Sequence, residues 1–82
     1  MEKGPDLSGW IEAVARDLVD QPDRVSVHTV EEGDTTVFEL EVDPDELGRV
    51  IGRQGRTAQA MRTLLGVAGA RHGGSYDLEI LE

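Results

Sequence analysis

Leu7, Trp10, Ile11, Val14 and Leu18 recur at helical spacing, while Glu12, Arg16, Asp17 and Asp20 lie off their stripe. This pattern predicts an amphipathic helix that starts near Pro5-Asp6, with Asp6 as N-cap, and is ended by Pro22. From Arg24 to Val30 the period drops to two. Val25, Val27 and Thr29 share one face, and Ser26, His28 and Val30 the other. Glu31-Glu32-Gly33-Asp34 reads as a turn. Thr35 to Val42 then alternates more decisively, with Thr36, Phe38, Leu40 and Val42 on one side and Glu39 and Glu41 facing water. Two such runs joined by a short glycine-containing loop predict an antiparallel hairpin.

Asp43-Pro44-Asp45-Glu46 is a strong helix-start signal. Asp43 can cap, Pro44 suits the first helical position, and Glu46 falls where a capping box needs a carboxylate. The short helix that follows turns Leu47, Val50 and Ile51 inward and stops at Gly52. A longer helix begins around residues 55–57, with Ala58, Met61, Leu64, Leu65 and Ala68 as its apolar stripe, and ends at His72-Gly73-Gly74. Tyr76, Leu78 and Ile80 alternate with Asp77 and Glu79 as a last strand. The predicted order is αββααβ in one domain spanning 1–82, without repeats or linkers.

Composition narrows the function. Eighty-two residues support only a thin core. Without cysteine there is no disulfide framework and no thiolate metal site. No apolar run approaches the roughly 20 residues that cross a bilayer, and the acidic start lacks a signal-peptide pattern. A cytoplasmic protein with no membrane insertion is expected.

The formal charge is −9, yet residues 47–76 contain no Asp or Glu and hold Arg49, Arg53, Arg56, Arg62 and Arg71, five of the eight basic side chains. Screening over about 8 Å at physiological salt makes this distribution matter more than the sum. Inside the window sits Gly52-Arg53-Gln54-Gly55. A glycine pair at this spacing is weak evidence alone, because Gly66 and Gly69 share it within a helical pattern. Gly52 and Gly55 instead fall where one helix stops and the next starts. Glycine lets backbone approach a ligand, and the start of the second helix presents unpaired amides and a positive dipole end. Arg53 and Arg56 add cationic donors, and Arg49 lies one turn earlier. Gln54 offers neutral hydrogen bonding, and Val50 and Ile51 offer an apolar surface for a base.

The stretch Leu47-Gly48-Arg49-Val50-Ile51-Gly52-Arg53-Gln54-Gly55-Arg56 resembles the Val-Ile-Gly-x-x-Gly signature of KH domains. The element order is similar to their type II arrangement, common in bacteria. The likeness covers essentially the whole chain, including Leu18-Val19-Asp20-Gln21-Pro22 and Met61-Arg62-Thr63-Leu64, and is strongest toward small bacterial proteins made of a single KH domain.

The resemblance implies an α+β fold with three helices packed on one face of a three-stranded sheet. It also implies a non-catalytic protein whose Gly-x-x-Gly loop clamps the backbone of about four nucleotides of single-stranded RNA. On that pattern Gly52 and Gly55 are the clamp and Arg53 and Gln54 its variable pair. Val50 and Ile51 form the groove floor, and the second strand lines the far wall. Glu39 and Glu41 depart from a welcoming groove by placing carboxylates there. Proteins of this kind self-associate, pair with a larger Jag-type KH-containing protein, and are linked to RNA metabolism and cell-envelope regulation. An adaptor that keeps the architecture without nucleic acid is the alternative.

The remaining polar residues carry little chemistry. His28 and His72 have no metal-ligand neighbour at useful spacing, so neither a metal nor a cofactor is expected. Asp43, Asp45 and Glu46 are explained by capping, and no serine sits in a nucleophile motif. Gly66 and Gly69 cost about 1 kcal/mol each inside a helix relative to alanine. With Gln59 and Arg62 they define a face for a dimer or partner contact. A frayed last turn is the other explanation.

Overall fold

A computed structural model describes residues 7–82. The expected Asp6 cap lies outside the described residues. Helix α1 spans Leu7–Leu18 and is followed by a 3-10 turn at Pro22–Arg24. Strands β1 (Ser26–Glu32) and β2 (Thr35–Glu41) form the hairpin. Helix α2 (Leu47–Ile51), the longer α3 (Arg56–His72) and strand β3 (Ser75–Ile80) complete the αββααβ order. The sheet runs β1-β2-β3, with β1 antiparallel and β3 parallel to the central β2. This is the α+β, type II KH arrangement.

Alternation along the strands decides where the core lies. Phe38 pairs with Leu78 and Leu40 with Ile80, all on one face of the sheet. Ile11 and Ala15 of α1, Val50 of α2, and Met61 and Leu65 of α3 pack over that face. Phe38 and Tyr76 meet edge to face, with ring centroids 6.0 Å apart. The other face carries no helix among the described residues. It presents Glu39 and Glu41 of β2 and Asp77 and Glu79 of β3, so Glu39 and Glu41 point away from the helical layer rather than toward a groove beside the Gly52–Gly55 loop.

Several expectations need correction. Strand β1 continues through Glu31 and Glu32, because Thr36 opposite Glu31 donates its hydroxyl to that carboxylate at 3.0 Å, and the turn shrinks to Gly33-Asp34. Val37, on the solvent side of β2, is buried at 7% exposure; it sits on the central strand, flanked by Val30 and Asp77. Ala15, not counted in the α1 stripe, is fully buried.

In α3 the buried row is Ala58, Met61, Leu65 and Gly69, whereas Leu64 is 54% exposed. Consecutive helical residues differ by about 100°, so Leu64 and Leu65 cannot both centre the same stripe. The spacing of four between Met61, Leu65 and Gly69 selects Leu65. Gly69 belongs to this row because the chain doubles back tightly. The Gly74 amide donates to the Gly69 carbonyl at 2.9 Å, and a β-carbon on Gly69 would lie 2.8 Å from the Gly74 carbonyl oxygen. The close approach that this glycine permits is therefore intramolecular, and Gly69 has no surface to offer a partner.

Candidate nucleic-acid interface

Pro44 opens a 3-10 turn (Pro44–Glu46) ahead of α2, and Asp43 accepts a hydrogen bond from the Asp45 amide at 2.9 Å. Half of the expected capping box forms. Glu46 does not reach back to Asp43; it is buried, at 8% exposure, and accepts from the backbone amides of Asp20 and of Gln21, the latter at 3.0 Å. A carboxylate 26 residues away in sequence thus satisfies the linker after α1. Arg49, one turn on, reaches the same region, 3.2 Å from an Asp20 carboxylate oxygen and 3.9 Å from one of Glu46. Arg49 therefore reaches toward the linker after α1, whereas Arg53 and Arg56 have no such carboxylate partner among the described residues. The Arg49 ion pair is solvent-exposed and worth little on its own.

Gly52 ends α2, its amide donating to the Gly48 carbonyl at 2.9 Å. Its φ of 82° and ψ of 168° suit glycine alone. A β-carbon there would also fall on the Thr57 side chain and 2.8 Å from the Thr57 amide nitrogen. Gln54 and Gly55 both adopt left-handed backbone, with φ of 58° and 74°. A non-glycine residue there stores of order 1 kcal/mol of strain. The turn's own bonds run from Gly55 to the Gly52 carbonyl and from Arg56 to the Arg53 carbonyl. The amides of Arg53 and Gln54 are left without an acceptor among the described residues. Arg53 and Arg56 are exposed, with no ion pair or hydrogen bond among those residues.

These features share one place. Two free amides, two unpaired guanidiniums and the head of a 17-residue helix lie within four consecutive residues, on a segment without carboxylates. Such a set holds anionic oxygens by hydrogen bonding and charge together. Ile51 is half-buried and borders the loop, but Val50 is fully buried in the core and cannot support a base.

Of the residues expected to form a partner face, Gln59 and Gly66 are exposed, while Arg62 is occupied, donating from Nε and Nη2 to the Leu78 carbonyl. Thr57, which fills the space a Gly52 side chain would need, was not visible as a functional residue. A small hydroxyl residue in the first turn after the loop is its only signal. Among the described residues no group of three or more His, Cys, Asp or Glu side chains could hold a metal ion, and no helix is long and apolar enough to cross a membrane.

Comparison with known proteins gives this geometry a family. A family model for the KhpA/KhpB KH domain matches residues 9–80. The chain belongs to the KhpA/KhpB KH-domain family. It is 51% identical over 76 residues to the RNA-binding protein KhpA of Aquifex aeolicus, covering 93% of this chain and 96% of that one. To the RNA-binding protein KhpA of Borreliella burgdorferi it is 42% identical over 72 residues, 88% of each chain. The corresponding protein of Caldanaerobacter subterraneus is 39% identical over 71 residues, covering 87% of this chain and 95% of that one. Membership places the chain in a non-catalytic kind of protein.

Proposed function

We propose that this chain binds single-stranded RNA by gripping its sugar–phosphate backbone at Gly52–Gly55. It would act in the cytoplasm as an RNA chaperone or post-transcriptional regulator, as a dimer or beside a larger Jag-type KH-containing protein. The observation that carries this reading is the loop's conformation. Left-handed backbone at Gln54 and Gly55, held against Thr57 by a glycine at position 52, leaves two amides free beside two unpaired arginines. The relatives named as RNA-binding proteins support it. Binding through phosphates is expected to be modest and salt-sensitive.

Replacing Arg53 and Gln54 by Asp tests it. The double variant should fold as the parent does and retain no labelled oligonucleotide in a filter assay. Equal retention by the folded variant would remove the proposal. The adaptor reading has one observation in its favour: Leu64 and Val67 are 54% and 50% exposed on α3, an apolar strip of the kind a protein partner covers. Under that reading the loop arginines are dispensable and Leu64→Glu abolishes assembly.

A further inference from the structure

Of the two glycines inside α3, packing explains only one. Gly69 is fixed by the close return of Gly74, whereas a β-carbon on Gly66 would meet open space. No positive φ demands glycine at 66 either, because its backbone is ordinary helix. Glycine within a helix is nonetheless unfavourable relative to alanine. What Gly66 does have is a particular neighbour. Arg62 lies four residues earlier on the same flank, and helical side chains lean back over the preceding turn. A long side chain at 66 would therefore lie across Arg62.

Arg62 is held by one edge. Its Nε and Nη2 donate to the Leu78 carbonyl at 3.3 Å and 3.2 Å, which ties the guanidinium to the backbone of β3. The N–H bonds of a guanidinium lie in its plane, so this anchoring spends an edge and leaves the flat faces uncommitted. The residue is exposed. The result is a fixed planar cation at the seam between α3 and the outer edge of β3, with no side chain at 66 to cover it.

We propose that the Arg62 guanidinium is a stacking platform for one base of the bound strand, and that residue 66 is glycine to keep that platform bare. Guanidinium planes support unstacked bases in single-stranded RNA recognition. Anchoring the plane on the Leu78 carbonyl beforehand removes ordering entropy that a free arginine would lose on binding. Arg62 lies about 9 Å along the helix axis from Arg56, at 1.5 Å per residue, within the span of about four nucleotides gripped at the loop. Val50 is buried in the core, so the platform supplies a surface that the floor of the loop lacks. This inference rests on the proposed RNA clamp and adds to it a base contact away from the loop.

The test uses the full chain, tetraadenylate, and four versions of that tetramer each lacking one base. In the parent, loss of the base at one position only should weaken binding about tenfold, within the range for a stacked base. Arg62→Ala and Gly66→Leu should each bind the intact tetramer about tenfold more weakly. Both should be indifferent to removal of that base, because the contact is already gone. Arg62→Lys keeps the charge without the plane and should behave as Arg62→Ala does, which separates stacking from a phosphate contact. Circular dichroism melts establish folding, and Gly66→Leu should melt no lower than the parent because leucine favours helix. A parent indifferent to every base, or a base that still counts in full in Arg62→Ala, Arg62→Lys or Gly66→Leu, overturns the platform and leaves the clamp standing. Absence of tetramer binding by the parent chain, even in dilute buffer, overturns both.

Discussion

Arg62 of α3 donates from Nε at 3.3 Å and from Nη2 at 3.2 Å to the backbone carbonyl of Leu78, at the outer edge of β3. The Leu78 amide is taken as well, donating to the Asp77 carboxylate at 2.8 Å. In β3 the odd residues bond to β2, as the Leu81 amide does to the Leu40 carbonyl, so the polar groups of Leu78 face outward. Both are blocked at the middle of the strand. An unprotected edge is a template for another strand, and two side chains close this one.

Arg62→Ala should therefore cost about 1 kcal/mol in denaturant-unfolding stability and increase association at high concentration. Light scattering alongside urea titration checks both. An unchanged scattering profile would separate edge protection from simple packing by the arginine stem.

Glu46 offers a sharper stability test. Glu46→Ala strands two backbone amides, those of Asp20 and Gln21, in a part-buried setting, for an expected loss of about 1–3 kcal/mol. Glu46→Gln keeps one acceptor oxygen and should lose less. Urea midpoints of the two variants give the comparison, and oligonucleotide affinity of the folded fraction should not change.

The two loop glycines should respond differently. Gly52→Ala meets both a glycine-only backbone and the Thr57 side chain, so a lowered melting temperature and loss of oligonucleotide binding are expected. Gly55→Asn has open space around its β-carbon and a left-handed conformation that asparagine tolerates. It should fold with a melting temperature near the parent's. Thermal melts followed by circular dichroism distinguish them.

Neighbouring leucines give a control for burial. Leu65 is fully buried, so Leu65→Ala should cost about 2–5 kcal/mol. Leu64→Ala, at a half-exposed position, should cost under about 1 kcal/mol. Chemical denaturation of the two variants side by side measures the difference.

Salt dependence tests which arginines meet phosphate. Each contact on a single strand contributes a slope of about −0.7 in log affinity against log salt. Arg53→Ala should reduce the slope by about that amount. Arg49→Ala should leave it unchanged, since Arg49 is turned toward Asp20. Affinities measured at several salt concentrations give both slopes.

Much of this domain was legible from local signals. The period of two in Thr35 to Val42, the Asp43-Pro44 helix start and the glycines at the break between α2 and α3 each act within a few residues, where backbone preference and side-chain alternation dominate. The acid-free window was also readable, because the order of charges along the chain needs no fold to be seen. Less legible were contacts that cross the chain. Glu46 suits a local capping box equally well, and only the approach of Asp20 and Gln21 recruits it elsewhere. Arg49 belongs to a cationic patch by sequence and to Asp20 by geometry. Val50 looks available for a base until α1, α3 and the sheet close around it.

Sequence by itself determined the element order, the sheet's alternation and the site of the loop, since those follow from propensities and periodicities that need no distant partner. Tertiary structure decided which side of α3 is buried, which arginines remain free and why Gly69 is a glycine. Those outcomes depend on where β3 returns after Gly73-Gly74 and on how near each side chain comes to groups far along the chain, distances that no local pattern encodes.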